Sequence, residues 1–232
     1  QNGLSYPVVL KPDAGQRGSG VTVLRSDLEL EERLRDLGVK SIIQEYAPGA
    51  EFGVFYYRYP SASHGQIFSI TEKRFPSVTG NGKSSLERLI LDDPRAVCMA
   101  PFYLNHLKSR LWEVPEPGES VQLVELGTHC RGAVFLDGSW VKTDALEAAI
   151  DGISKTYDGF YFGRYDIRTP SVDDFKQGSN FKVVELNGVT SEATHIYDPK
   201  NSLWNAYRVL FAQWRIAFEI GAQNPRRYTK PT

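Results

Sequence analysis

Val183-Val184-Glu185-Leu186-Asn187-Gly188, set beside Gly163-Arg164-Tyr165-Asp166-Ile167-Arg168, is the stretch on which the reading of this chain turns. Side chains two apart on a strand point to one face. Glu185 and Asn187 therefore share a face, and Arg164 and Asp166 share one too. If the two strands pair, an aspartate, a glutamate and an amide oxygen converge beside an arginine. Hard oxygen donors of that kind suit Mg²⁺ bridging substrate phosphates. Alone, either strand is an ordinary charged sheet face. A glycine-rich loop at the other end of the chain lifts the pair above that.

Outward from these strands, Phe160–Arg168 and Phe181–Asn187 are separated by a polar loop. Phe52–Tyr59 and Gln66–Arg74 read as a hairpin joined by Ser61–Gly65. Val121–Leu126 and Ala133–Leu136 are further expected strands, the second followed by the tight-turn pair Asp137-Gly138. Near the start, strand Tyr6–Lys11 leads into Gly15-Gln16-Arg17-Gly18-Ser19-Gly20 and then a short strand, Val21–Leu24. Ser26 and Glu29 form a capping box for a helix carrying Leu30, Leu34 and Leu37 on one face, stopped by Gly38. Ile42-Ile43 reads as a short buried strand, and Pro48-Gly49 as a turn. Ser84 and Glu87 open a second capped helix with Leu86, Leu89 and Ile90. Residues 95–118 give no clear periodicity. Leu146, Ile150, Ile153 and Tyr157 mark another helix face. From Leu203 to Gly221 runs a long amphipathic helix whose Tyr207, Leu210, Trp214 and Phe218 are expected on its buried side. Strands and helices do not alternate strictly, which points to an α+β class with antiparallel sheets rather than a doubly wound sheet.

Composition narrows the function. The chain has 232 residues, 41% of them hydrophobic, enough for one large domain or two small lobes. A net charge of −1 leaves no electrostatic footprint for nucleic acid. Cys98 and Cys130 are the only cysteines and stand in unlike contexts, the pattern of a reducing, cytoplasmic protein rather than a disulfide scaffold. No apolar run reaches membrane-spanning length. The start Gln1-Asn2-Gly3, almost on top of the first strand, reads as that of a fragment or a processed chain.

Several segments could hold a nucleotide. Lys11-Pro12 ends a strand just before the glycine loop. Glycines let backbone N–H groups approach phosphate oxygens, and a nearby lysine adds a point charge. No helix begins at the loop, so a dinucleotide-binding reading fails on context. Gly82-Lys83-Ser84 imitates the end of a P-loop, but the glycine required upstream is Ser77, and a turn into the helix explains the same residues. Gln44-Glu45-Tyr46-Ala47-Pro48-Gly49-Ala50-Glu51-Phe52 is a connector whose extended backbone could bond an adenine edge, with Glu51 on ribose hydroxyls. His129 and Cys130, as sequence neighbours on opposite sides of a strand, make no dyad.

Taken in order, this set resembles the ATP-grasp superfamily over nearly the whole chain. Val9-Leu10-Lys11-Pro12 looks like the strand whose lysine meets ATP phosphates, Gly15 to Gly20 like the flexible lid loop, and Gln44 to Glu51 like the hinge. Asp166, Glu185 and Asn187 match the family's paired-metal acids and amide. The carboxylate–amine ligase branch, with cyanophycin synthetases and D-alanine–D-alanine ligases, is the closer likeness. Glu72-Lys73-Arg74-Phe75-Pro76-Ser77-Val78-Thr79-Gly80-Asn81-Gly82-Lys83-Ser84 is similar to a cyanophycin-synthetase pattern, and Thr128-His129-Cys130-Arg131-Gly132 occupies the place of an Asn-x-Ser-x-Gly segment there. Two departures, Ile196 for a serine and Ser191 for a glycine, make D-Ala–D-Ala synthesis an unsuitable assignment. The N-terminal domain and upstream lysine usual in the family lie outside this sequence.

The resemblance implies an ATP-grasp fold of two lobes clasping nucleotide: a partial lid lobe over 1–43, a metal-carrying lobe over 44–225 and a tail over 226–232. It implies an ATP-dependent ligase forming a C–N bond through an acyl phosphate, with ATP and Mg²⁺ (or Mn²⁺) as cofactors. A kinase acting on a small molecule and a non-catalytic nucleotide-binding module are the alternatives. Catalysis would fall to Arg164, Lys73 and His195. Nucleotide contacts would come from Lys11, Gly15, Arg17, Gly18, Ser19, Gly20, Gln44, Glu45, Tyr46, Ala47 and Glu51. His129, Arg131 and Ser191 would meet the substrate, Arg131 reaching toward an anionic one. Small carboxylic acids and amines are the expected partners, with no nucleic acid and no membrane, and homodimerisation is allowed.

Overall fold

The structure, a computed structural model, describes residues 3–15, 18–35, 37–125, 127 and 131–224. In chain order its elements are β1 (Val8–Pro12), β2 (Thr22–Leu24), α1 (Asp27–Arg35), β3 (Ser41–Glu45), β4 (Ala50–Tyr57), β5 (Gln66–Arg74), β6 (Ser77–Thr79), α2 (Leu86–Asp92), α3 (Ala100–His106), β7 (Ser120–Gln122), β8 (Val134–Asp137), α4 (Asp144–Lys155), β9 (Phe162–Thr169), α5 (Val172–Lys176), β10 (Lys182–Asn187) and α6 (Leu203–Gln223). Strands pair antiparallel in β1–β2, β1–β3, β4–β5, β4–β9, β9–β10 and β6–β7. The expected α+β class with antiparallel sheets is the architecture observed. The chain forms two compact units that interleave in sequence: Gln1–Tyr46 with Phe75–Val134, and Ala47–Arg74 with Phe135–Thr232.

In the first unit β1 lies between β2 and β3. Alternation along β1 turns Val8 and Leu10 inward, where they meet Leu24 and the partly buried Leu30 and Leu37. Half of the first capping box forms: Ser26 Oγ accepts from the Glu29 N–H at 3.3 Å, while the Glu29 carboxylate reaches one residue further back, to the Arg25 N–H at 2.7 Å. Ile42 and Ile43 are exposed rather than buried. β3 is an edge strand, and α1 is too short and polar to cover it. The unit's second part packs β6, β7, α2 and α3 around Leu86, Ile90, Tyr103 and Leu123. Here the helix cap is Ser85, not Ser84, because the Asn81 side chain already accepts from the N–H groups of Lys83 and Ser84 at 2.9 and 2.8 Å. That turn accounts for Gly82-Lys83-Ser84 without any phosphate.

The second unit is built on a five-stranded sheet ordered β10-β9-β4-β5-β8. One face carries Phe52, Val54, Tyr56, Ile70, Tyr165 and Ile167, which bury Leu146 and Ile150 of α4 and Phe175 of α5. α5 falls inside the segment read as a polar loop; Ser171 caps it, accepting from the Asp174 N–H at 3.2 Å. Gly49 has φ +101°, and a Cβ there would stand 2.0 Å from the Thr169 carbonyl oxygen, so this turn admits glycine alone. The opposite sheet face is apolar at one end, where Phe55 and Phe162 meet Val209, Ile216, Ala217 and Ile220 of α6.

α6 corrects the sequence reading of its inner side. Tyr207, Trp214 and Phe218 are exposed, while Gln213 and Ile220 are buried and Val209, Ile216 and Ala217 pack on the sheet. The helix has two apolar stripes, and the stripe of smaller side chains fits the Phe55–Phe162 surface. Gln213 anchors that orientation: its side chain accepts from the Ala193 N–H at 2.9 Å and donates to the Ser191 carbonyl at 2.8 Å.

Candidate functional site

The charged face of the second unit's sheet is set by register. β9 and β10 pair with Asp166 opposite Glu185 and Arg164 opposite Asn187. Directly opposed residues in an antiparallel pair point to the same side, so this register sets Asp166, Glu185, Arg164 and Asn187 on one face of the sheet. A bulge makes it possible. Lys182 and Val183 oppose Arg168 and Ile167, the register then slips, and Glu185 opposes Asp166, leaving Val184 as the extra residue. Without that slip Glu185 would face Tyr165 on the hydrophobic side.

β4 and β5 complete the face. Glu51 lies opposite both Lys73 and Arg168, and Gly53 opposite Asp166. The Lys73 ammonium stands 2.8 Å from Glu51 Oε1 and 3.2 Å from Asp166 Oδ1. Arg168 donates to Glu51 Oε2 from Nε at 3.0 Å and to the Ala47 carbonyl from Nη1 at 3.0 Å. Arg164 donates to Asp166 Oδ1 at 3.0 Å and to the Glu192 carbonyl at 3.0 Å. Asn187 Nδ2 donates to Asp166 Oδ2 at 3.2 Å. At Gly53 a Cβ would sit 3.2 Å from Arg164 Cδ and 3.5 Å from Asp166 Oδ1. The missing side chain therefore leaves room for this pair.

Glu51, Lys73, Asp166 and Arg168 are all buried. Burial opposes the Lys73 charge, but Asp166 and Glu51 outweigh it and raise the ammonium's pKa. Burial likewise opposes the Asp166 charge, but Lys73 and Arg164 outweigh it and hold the carboxyl below its ordinary range. Both groups are thus ionised at neutral pH. Three cations face two buried anions, with exposed Glu185 at the edge. Among the described residues no three His, Cys, Asp or Glu side chains group as a metal site. The oxygen set here is two carboxylates and one amide. Mg²⁺ commonly takes one or two carboxylates and leaves its other positions to water and phosphate, so the donors fit it once the Asn187 amide turns its oxygen inward.

The remaining expected residues lie elsewhere. His195 sits in the 3-10 turn Thr194–Tyr197, its Nδ1 buried without a partner, and burial lowers its pKa despite Asp137 and Asp198. It lines a cavity of about 360 Å³ with Phe68, Arg208, Val209 and Ala212. The Ser191 hydroxyl closes its own turn on the Gly188 carbonyl at 2.6 Å. Glu51 is not a solvated hinge acid; both its oxygens are engaged by Lys73 and Arg168.

In the first unit, Gln44 and Glu45 belong to β3, and the division between units falls between Tyr46 and Ala47. Lys11 is half-buried on β1. Gly15 precedes a turn in which Gly18 and Gly20 take φ +71° and +73° around exposed Ser19. The sequence reading has Arg131 reaching for substrate. Instead its guanidinium donates to the Gly18 carbonyl at 2.8 Å and the Val21 carbonyl at 3.3 Å, with the Phe102 ring 5.8 Å away. It ties down the far side of the glycine loop. Arg17 and His129 lie outside the described residues.

With this geometry in view, comparison with known proteins gives one sequence relative. The chain is similar to cyanophycin synthetase. It shares 34% identity over 91 residues with the enzyme of Geminocystis herdmanii, a match over 37% of this chain and 10% of the relative. No protein-family profile matches. Among solved structures, a bifunctional glutathione synthetase from Pasteurella multocida is 17% identical with a TM-score of 0.47, over 90% of this chain and 30% of that one. The VanG D-Ala:D-Ser ligase from Enterococcus faecalis is 12% identical with a TM-score of 0.45, over 91% and 50%. The D-alanine–D-alanine ligase from Bacillus anthracis is 13% identical with a TM-score of 0.45, over 94% and 54%. Cyanophycin synthetase and D-alanine–D-alanine ligase are the two kinds of enzyme named in the motif resemblance above. The chain spans half or less of the first two structural relatives and a tenth of the sequence relative.

Proposed function

We propose that the chain is the ATP-grasp portion of an ATP-dependent carboxylate–amine ligase. The observation that carries this reading is the β9–β10 register, which sets Asp166 against Glu185 and Asn187 against Arg164 beside the buried Lys73. In the first unit Lys11 and the amides of Gly15, Gly18, Ser19 and Gly20 would receive ATP phosphates, together with Arg17. Gln44, Glu45, Tyr46 and Ala47 would offer backbone and side-chain groups to the adenine, with Glu51 on the ribose side.

Asp166, Glu185 and Asn187 would hold Mg²⁺ or Mn²⁺, which when bound supplies charge neutralisation at the phosphates. Lys73 keeps Asp166 ionised and adds positive charge next to it. Arg164, held by Asp166 and the Glu192 carbonyl, presents a fixed guanidinium where charge develops on the acyl oxygen. His195, neutral at pH 7, can orient an amine or take its proton. His129, Arg131 and Ser191 would act on the acceptor side, Arg131 through its grip on the loop. The chemistry is phosphorylation of a carboxylate by ATP, then attack by an amine on the acyl phosphate with release of phosphate. The substrates are a small carboxylic acid and an amine.

A phosphate-release screen of carboxylic acids crossed with amines, run on the full-length protein, tests this. The expected result is phosphate release that needs both partners and is lost in Asp166→Asn. Phosphorylated acceptor accumulating without any amine requirement would overturn the ligase reading.

A further inference from the structure

The outward face of α6 carries Trp204, Tyr207, Phe211, Trp214 and Phe218, each between 51% and 85% exposed. Their spacing of three, four, three and four residues keeps them on one stripe of a helix. At roughly 150–250 Å² per aromatic side chain, this exposure leaves on the order of 700 Å² uncovered. That exceeds the few hundred Å² of apolar patch a monomer usually shows, and approaches the roughly 800 Å² that each partner contributes to a stable interface.

The order of residues along the stripe is close to a palindrome centred on Phe211. Seven residues before and after it stand Trp204 and Phe218; three before and after, Arg208 and Trp214; four before and after, Tyr207 and Arg215. Arg208 and Arg215 are exposed beside the aromatics, and apart from Glu219 no acid lies on this helix. Glu219 is already held by Arg215 and Tyr59 at 2.8 and 2.6 Å. Arg208 donates to the Asn205 side-chain oxygen at 2.9 Å, so both arginines have a partner on their own helix while the aromatic rings between them stay uncovered.

We propose that α6 is the interface of a two-fold symmetric dimer in which it packs antiparallel on α6 of a second copy, centred on Phe211. Such an isologous pairing sets Trp204 against Phe218 of the second copy and Phe211 against itself. It sets Arg208 over Trp214 and Arg215 over Tyr207, so each cation meets an aromatic ring and no two arginines face. The same helix in parallel would bring Arg208 to Arg208 and Arg215 to Arg215.

Sedimentation of the protein over a concentration series should show a monomer–dimer equilibrium. Phe211→Arg, which sets like charges on the axis, should raise the dissociation constant by about 30-fold or more, the size of an interface hot spot. It should leave circular dichroism unchanged, and melting unchanged at concentrations where the parent is a monomer, since Phe211 is 74% exposed within one copy. In a Cys98→Ser, Cys130→Ser background, Phe211→Cys should cross-link into a covalent dimer under oxidation, while Trp204→Cys should cross-link only when mixed with Phe218→Cys. A monomer at all concentrations, a dimer indifferent to Phe211→Arg, or Trp204→Cys linking to itself would each overturn the proposal. So would a monomer that binds vesicles of anionic phospholipid through this face.

Discussion

Lys73 and Glu51 illustrate how a residue's role depends on what is left behind when it is removed. Each is buried and each holds its neighbours' charges in place: Lys73 spans Glu51 and Asp166, and Glu51 spans Lys73 and Arg168. Removing one partner of a buried pair strands a charge in low dielectric and costs about 3–5 kcal/mol. Lys73→Met and Glu51→Gln should therefore both lower unfolding free energy by about that much in urea titrations. A loss under about 1 kcal/mol would mean that water reaches the network. Glu51, read from the sequence as a ribose contact, is in this fold also the acid between two buried cations. Acid and alkali should act on the network from opposite sides. Asp166, held low, contributes stability that is present above its unfolded value of about 3.9 and lost as pH falls through its folded value. Lys73, held high, contributes stability present below about 10.4 and lost as pH rises through its folded value. His195, pushed down by burial, adds an earlier acid-side loss that begins near pH 6.5 or so. In Asp166→Asn the difference in stability from the parent should shrink as pH drops below about 4, and a constant difference down to pH 2 or so would contradict the assignment.

At the scale of elements, the decisive feature is the bulge at Val184. Deleting Val184 straightens the ladder but leaves Glu185 and Asn187 on the charged face. Deleting Leu186 turns Asn187 toward the hydrophobic side and breaks its bond to Asp166. The second deletion should cost about 1–3 kcal/mol more than the first in chemical unfolding, and equal costs would place the bulge elsewhere. Glycines on helices give a control in the other direction: Gly152 lies inside α4, and a Cβ added there would meet nothing within 4 Å, so Gly152→Ala should stabilise by about 0.5–1 kcal/mol. The pairing of acids across β9 and β10 was legible because polar and apolar residues alternate with period two along residues 164–168 and 184–187. The bulge was not, since nothing in Val183-Val184-Glu185 marks which valine is extra. Arg168 and Lys73 were legible as charges alternating with core residues; Glu51 faces Lys73 across one hairpin, but its second partner, Arg168, is 117 residues away. The inner side of α6 was misread because both of its stripes are apolar, and only the tertiary surface decides between them. Arg131's hold on the glycine loop spans more than a hundred residues and leaves no local signal.

At the scale of the molecule, the path of the chain matters more than its length. The sequence suggested one cut, near residue 43, whereas Phe75–Val134 joins the N-terminal segment in the first unit. From the viewpoint of the second unit, residues 75–134 are an insertion between β5 and β8, strands that neighbour each other in one sheet. The two ends of that insertion lie side by side, for the Lys73 ammonium is 5.7 Å from the centre of the Phe135 ring. A loop of about two to five residues is enough to join adjacent antiparallel strands. The core of this unit, from Phe52 and Ile70 to Leu146, Ile167 and Phe175, contains no residue of the insertion. A protein of residues 47–74 joined through a short glycine-rich linker to 135–224 should therefore fold by itself, with a single cooperative thermal transition and near-ultraviolet dichroism from its packed aromatics. A protein of residues 44–224 lacking only the first strands should by contrast expose the partners of 1–43 within the first unit and show an additional, low-temperature transition. If the linked protein melts without cooperativity, the second unit depends on the first for its core, and the division of the molecule into two units holds for contacts but not for stability.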